Sequence, residues 1–289
     1  MKAKSVSLVI GADGLIGRAV ADHLQLVGES VLETTRRPDT ISERRLLLDL
    51  TEDVSEWHPP RQVSVAYLCA AVSSLARCRR NPAQSALVNV QNTVALAKKF
   101  VANGTFVIFL STNLVYNGSV PFRKANEPLS PRTEYGRQKA KAERQLLALG
   151  NLISVVRLTK VLGPNMPLIK RWIQALQNNE AIHPFSDMVM APLSLPFAVD
   201  VLYRIGMRRQ PGIVQVSGQR DVTYEQVARH IADRLGGNSA LVQPMRSEEA
   251  GIPIYPVPRY TTLETTRLRT ELGIEPPDVW SAIDSVFDL

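Results

Sequence analysis

The sequence predicts an α/β protein, a doubly wound parallel sheet followed by a smaller C-terminal lobe. Three observations carry that prediction. Short, near-continuous apolar runs alternate with amphipathic stretches through the first two-thirds of the chain, as strands do when helices bury both of their faces. The first run leads directly into a glycine turn and a helical pattern. After Gly163-Pro164 the rhythm changes and helical patterns dominate.

Taken in order, residues 5–11 (SVSLVIG) read as a buried strand and LIGRAVADHLQLVG as an amphipathic helix. Strands follow at 30–35 (SVLETT), 46–49 (LLLD) and 63–71 (VSVAYLCAA). A helix then carries apolar residues at Ala86, Val90, Val94 and Ala97. Next come the strand TFVIFLST at 105–112, a helix over 134–149 and the strand LISVVRL at 152–158. Beyond Gly163, LIKRWIQALQ reads as a helix in which Trp172 joins Ile169, Ile173 and Leu176 on an apolar stripe. Residues 181–195 read as irregular, LPFAVDVLYRIGMRR as a helix and GIVQVSG as a strand. Thr223 opens the helix TYEQVARHIADRLGG, which its Gly-Gly end stops. The proline-rich 251–260 reads as extended and TTLETTRLRTELG as a terminal helix. The expected division is 1–163, with returns near 193–218, for the first domain, and 164–192 with 219–289 for the second lobe.

Composition narrows the function. The chain has 289 residues, 45% of them hydrophobic, enough for a sizeable core without metals or disulfides. No apolar run approaches the roughly 20 residues of a membrane-spanning helix. The start, MKAKSVSLVIGADG, lacks a signal peptide's cleavage site, so a soluble cytoplasmic protein with no membrane partner is expected. Two cysteines, Cys69 and Cys78, are too few for a disulfide framework, and four scattered histidines show no metal-ligand spacing. No metal is expected. Net charge is +7, which attracts anions. The basic residues lie in short dispersed groups and aromatics are 6% of the chain, so a phosphorylated small ligand is expected and nucleic acid is not.

Two motifs carry chemistry. Gly11-Ala12-Asp13-Gly14-Leu15-Ile16-Gly17 sits between a strand and a helix, where glycines let backbone approach a pyrophosphate that rests on the helix N-terminus. The residue facing the adenosine ribose is expected roughly 20 residues on, where Thr35, Arg36 and Arg37 stand. Guanidinium groups there pair with a 2′-phosphate, so NADP(H) is expected over NAD(H). The second motif is Tyr135-Gly136-Arg137-Gln138-Lys139, whose spacing stacks phenol and ammonium on one helix face. An ammonium beside a phenol lowers the phenol's pKa. Ser111-Thr112 ends an upstream strand, at the sheet edge where open α/β folds bind ligands.

GADGLIG, LLLDL, STNLVYNG, YGRQKAKAE and VVRLTKVLGP, in that order, resemble the extended short-chain dehydrogenases/reductases, in particular the dTDP-4-dehydrorhamnose reductase-like branch. The resemblance is specific from residue 5 to about 165; LPFAVDVL and TTLETTRLRTELGI fit the family's C-terminal layout more loosely. It implies a Rossmann-type fold with a substrate-binding lobe, and an oxidoreductase acting on a keto group of a nucleotide-linked sugar. Under it, Gly11, Gly14, Leu15, Ile16 and Gly17 line the cofactor pyrophosphate, and Thr35, Arg36 and Arg37 meet the 2′-phosphate. Asp49 and Leu50 flank the adenine, Cys69, Ala70 and Ala71 pass along the cofactor, and Asn89 supports that loop. Tyr135 donates a proton to the sugar carbonyl oxygen, Thr112 hydrogen-bonds it, and Lys139 holds the nicotinamide ribose and tunes Tyr135. Asn113 stands where the branch commonly has an acid, and a dehydratase needs further acids there; this favours reductase or epimerase chemistry. Thr112, Asn113, Tyr135 and Asn165 are the expected substrate contacts; Asn165, Lys170, Arg171 and Arg259 are candidates for the nucleotide diphosphate, each read more readily as solvated surface, and Pro121, Pro128 and Pro131 mark a bordering loop. The alternatives are a nucleotide-sugar epimerase with retained NAD(P), and a non-catalytic NADP-sensing or regulatory subunit. A homodimer is the expected assembly.

Overall fold

Near-continuous apolar strands, buried on both faces, build the sheet in the computed structural model, which describes residues 6–60, 62–252 and 257–287. Strand β1 (Val6–Ile10) runs through the glycine turn into helix α1 (Leu15–Leu26), followed by β2 (Ser30–Thr35), β3 (Arg45–Leu47) and β4 (Val63–Leu68). Helices α2 (Leu75–Arg80), α3 (Pro82–Ala86) and α4 (Thr93–Ala102) precede β5 (Phe106–Thr112). Then come α5 (Glu134–Leu147), β6 (Ile153–Leu158), β7 (Lys160–Leu162), α6 (Pro167–Gln177), β8 (Val189–Met190) and β9 (Pro192–Ser194). The chain closes with α7 (Leu195–Arg208), β10 (Gly212–Val216), β11 (Val222–Thr223), α8 (Tyr224–Arg234), α9 (Thr266–Leu272) and α10 (Val279–Phe287).

Seven strands form one sheet in the order β10-β6-β5-β4-β1-β2-β3, and every pairing is parallel. The order reverses between β1 and β4, the switch point at whose carboxyl edge doubly wound sheets bind ligands. Strand β5 is buried along its whole length, and its residues alternate between two apolar clusters. Phe106, Ile108 and Leu110 join Val20 and Leu24 of α1, Val201 and Ile205 of α7 and Leu268 of α9. Val107 and Phe109 join Ala97 and Phe100 of α4 and Ala142 and Leu146 of α5. A third cluster is separate: Ile169, Trp172 and Leu176 of α6 pack with Val227 and Ile231 of α8 and Val279 and Ile283 of α10.

Several elements differ from expectation. Strand β4 ends at Leu68, which releases Cys69, Ala70 and Ala71 into a loop at the sheet edge. The helix expected through Ala86 and Val90 is interrupted by a π-helical segment, Leu87–Asn92. The extra residue in that turn rotates the buried face, bringing Val88 and Asn89 inside together with Val90. Residues 181–195, expected to be irregular, include β8 and β9. The segment Thr261–Thr265 is not helical; α9 starts at Thr266, and a further helix, α10, follows it. Its stripe of Val279, Ile283 and Val286 is short and follows Pro276-Pro277, so periodicity alone does not separate it from loop. The extended reading of 251–260 falls partly on 253–256, and that of the first strand on Ser5; these lie outside the described residues.

Candidate active site

The carboxyl edges of β1, β4, β5 and β6 open onto a cavity of about 770 Å³. Glycines shape its floor. Gly11 adopts φ +87°, and a Cβ on Gly17 would stand 2.3 Å from Gly11 O, so neither position accepts another side chain without backbone movement. Helix α1 begins at Leu15 after the N-cap Gly14, which provides no side-chain cap, and its first turn, Leu15 to Gly17, lines the cavity. That end of the helix is therefore a cradle for an anion.

The cavity wall holds Gly11, Gly14, Leu15, Ile16, Gly17, Thr35, Arg36, Asp49, Leu50, Cys69, Ala70, Ala71, Thr112, Asn113, Tyr135 and Lys139. Several expected residues stand off it. Arg37 turns to Asp13, with Nη2 donating to Oδ1 over 2.6 Å. Asn165, in the short loop before α6, is exposed, and its Oδ1 accepts from the exposed Lys170 Nζ on α6 at 2.7 Å; neither lines the wall. Arg171 and Arg259 are likewise exposed and absent from the wall, Arg259 lying over the Tyr260 ring. On the side of the third cluster the wall is made instead by Lys160, Met188, Val189, Met190, Tyr224, Pro258 and Thr261. Composition offered no signal for these, since they gather from separate segments.

Helix α5 delivers the Tyr135–Lys139 pair. Its cap is Thr133, whose Oγ1 accepts from Gly136 N–H at 3.0 Å. Lys139 is buried, with Nζ 4.1 Å from the Phe109 ring centroid and 6.0 Å from that of Tyr135. Burial lowers the Lys139 pKa to about 8, although the carboxylate of Glu143 opposes the shift. The Tyr135 phenol is raised above its ordinary value, by desolvation first and by Cys78 second. The lowered phenol expected from the neighbouring ammonium is therefore not what the structure holds: burial sets the direction of the shift, and it is upward. Thr112 caps the short turn Asn113–Val115: its Oγ1 accepts from Leu114 N–H at 3.2 Å and donates to Asn113 Oδ1 over a long 3.4 Å, a weak bond that a ligand oxygen would replace.

Beneath the wall lies a buried polar chain that sequence reasoning missed. Glu143, one turn beyond Lys139 on α5, receives Arg157 Nη2 at 2.7 Å and Nε at 3.1 Å, and the Ser111 hydroxyl. Arg157 in turn donates to Tyr116 Oη at 2.6 Å. The spacing of Tyr135, Lys139 and Glu143 on one helical face was the available signal. Asn89 bridges the loop after β4 to α5: Oδ1 accepts from Val72 N–H at 2.8 Å, and Nδ2 donates to Gln138 Oε1 at 2.8 Å. The thiol of Cys69 is pushed up to about 12 by burial, so it stays protonated and offers no nucleophile.

Among the described residues, no group of three or more His, Cys, Asp or Glu side chains is placed to hold a metal ion. No helix there is long and apolar enough to cross a membrane.

Known proteins share this layout. A dTDP-4-dehydrorhamnose reductase of Streptomyces griseus is 27% identical over 286 residues, covering 95% of this chain and 90% of that protein. The methionine adenosyltransferase 2 subunit beta of Bos taurus is 25% identical over 280 residues, covering 92% and 82%. The crystal structure of a dTDP-4-dehydrorhamnose reductase from Bacillus anthracis, in complex with NADP, superposes with a TM-score of 0.84 at 18% identity, over 99% of this chain and 98% of that one; at that identity the match speaks for the fold. A family model described as the RmlD substrate binding domain matches residues 6–289, and the chain belongs to that family.

Proposed function

We propose that this protein is an NADP(H)-dependent reductase of a keto group on a nucleotide-linked sugar. One observation carries the reading. Thr112, Tyr135 and Lys139 meet in the same cavity as the uncapped N-terminus of α1, so a proton donor and an anion cradle serve one ligand space. The relatives named as dTDP-sugar reductases support the substrate class. The glycine floor fits a dinucleotide, because the side chains that would fill it are missing.

Gly11, Gly14 and Gly17 hold the pyrophosphate, Arg36 meets the adenosine end, and Lys139 holds the nicotinamide ribose. The bound cofactor supplies hydride to the carbonyl carbon. Tyr135 donates its phenolic proton to the carbonyl oxygen, which becomes the hydroxyl of the product. Its raised pKa keeps that proton in place through the neutral range. Thr112 orients the same oxygen by donating a hydrogen bond, and the Lys139 ammonium stabilises the phenolate left behind. Asn113 is neutral, so it recognises a sugar hydroxyl without moving a proton.

The test is direct. Purified protein, NADPH and a dTDP-linked 4-keto-6-deoxy sugar are mixed, and NADPH oxidation is followed together with formation of the 4-hydroxy product. Matched consumption and product support the reductase. A second reading, a non-catalytic nucleotide-binding subunit, is favoured by the similarity to methionine adenosyltransferase 2 subunit beta. It predicts dinucleotide binding without turnover of any nucleotide keto-sugar.

A further inference from the structure

The adenosine end of the cavity carries a charge arrangement that the glycine pattern did not suggest. Asp13, within the glycine turn, lines the cavity. Its Oδ2 accepts from Thr35 Oγ1 at 2.8 Å and its Oδ1 from Arg37 Nη2 at 2.6 Å, while Arg45 Nη2 closes on the same Oδ1. Arg45 comes from β3, paired beside Glu33 of β2, and its side chain is 19% exposed against 54% for Arg37. Arg45 Nε makes no hydrogen bond, and its ion-pair partner Glu33 Oε2 lies 4.0 Å away. Burial works against the charge of Asp13, but hydrogen bonds from Arg37 and Thr35 and the charges of Arg45 and Arg37 outweigh it and hold the carboxyl below its usual range. It is therefore an anion at neutral pH, seated between two guanidinium groups that stand off the cavity wall while Asp13 holds them, beside Arg36, which lines it.

We infer that Asp13 sets the choice between NADPH and NADH, by competing with the 2′-phosphate for Arg37 and Arg45. A dianionic phosphate must draw both guanidinium groups away from Asp13 and tolerate its charge, whereas a 2′-hydroxyl donates a hydrogen bond to the same carboxylate and leaves both ion pairs standing. The wild-type preference for NADPH is thereby held well below what three arginines at this edge would otherwise confer. Arg45, drawn from the next strand, acts with Arg37 in this role. The inference rests on the dinucleotide reading of the cavity.

The experiment compares the Kd of NADPH and of NADH for the wild-type protein, Asp13→Asn and Arg45→Gln, by quenching of intrinsic fluorescence. Asparagine retains the size of the side chain and an acceptor for Thr35. It removes one charge, and a charge-assisted hydrogen bond is worth about a tenfold change in affinity or more. The ratio of NADH to NADPH Kd therefore rises about tenfold in Asp13→Asn and falls by a similar factor in Arg45→Gln. A purely structural role for Asp13 would weaken both cofactors alike and leave the ratio where it was, which overturns the inference. Should Asp13→Asn fail to fold, an unchanged ratio in Arg45→Gln overturns it, and a lowered ratio supports it. Wild-type protein that binds neither cofactor overturns the dinucleotide reading, and the inference with it; wild-type binding with fixed ratios overturns the inference alone.

Discussion

Tyr135 and Lys139 share one helical face, and their surroundings separate their titrations. The phenol is raised and the ammonium lowered to about 8, both by desolvation first. Across the neutral range Tyr135 therefore keeps its proton, and Lys139 is the group that changes charge. Its ammonium is the form present below the pKa, so reductive kcat/KM is expected to hold level through neutrality and to fall as pH rises through about 8. A pH profile of kcat/KM for the keto-sugar checks this, and a limb centred well above pH 9 would contradict it. Tyr135→Phe removes the proton donor and leaves the glycine cradle untouched. Turnover is expected to drop roughly 10²–10⁴-fold, the usual contribution of a positioned acid, with NADPH affinity nearly unchanged. Single-turnover kinetics beside equilibrium binding separate the two quantities.

Between elements, the most consequential contact is the one joining α5 to β6. Glu143 and Arg157 are both almost fully buried. Arg157 also reaches Tyr116 Oη, while Gln215 of β10 takes Arg157 Nη1 at 3.2 Å and donates to Glu264 O at 2.9 Å. The pair ties the helix bearing Tyr135 to the sheet's edge and to the segment before α9. Glu143→Leu leaves a buried guanidinium uncompensated and is expected to cost roughly 3–5 kcal/mol of stability. Adding Arg157→Leu removes that charge, so the double variant should be more stable than Glu143→Leu alone. Chemical denaturation of the three proteins tests it, and a double variant no more stable than the single one would refute it. The π segment at Leu87–Asn92 works on the same helix from the other side, because its extra residue is what turns Asn89 toward Val72 and Gln138.

At the scale of the whole molecule, the cleft is completed by chain far from the glycine turn. Asp221 fixes Thr261 through its backbone N–H at 2.7 Å and its hydroxyl at 2.6 Å, and holds Thr262 Oγ1 at 2.8 Å. Thr261 Oγ1 also accepts from Ala191 N–H at 2.7 Å. These bonds set Pro258 and Thr261 against the cavity that the sheet opens. A ligand seated there touches both the sheet edge and the late segments, so it should stabilise the fold as a unit. NADPH at 100 times its Kd is expected to add about 2.7 kcal/mol, raising the midpoint of thermal unfolding in a single shifted transition. An unmoved midpoint at saturating NADPH would contradict the dinucleotide reading.

The strand–turn–helix around Gly11, the Tyr135–Lys139 spacing and the buried β5 were legible from the sequence, because each depends on neighbours within a few residues and on the period of one element. The same locality explains what was missed. Asp13 meets Arg37 and Arg45 across the turn, Glu143 meets Arg157 between a helix and a strand, and Lys160, Tyr224 and Thr261 share a wall though far apart in the chain. Such partners carry no common period. Which charge faces which, how far a phenol is desolvated and which residues close the cleft were decided only by packing in three dimensions, since desolvation and ion pairing depend on distance in space rather than along the chain.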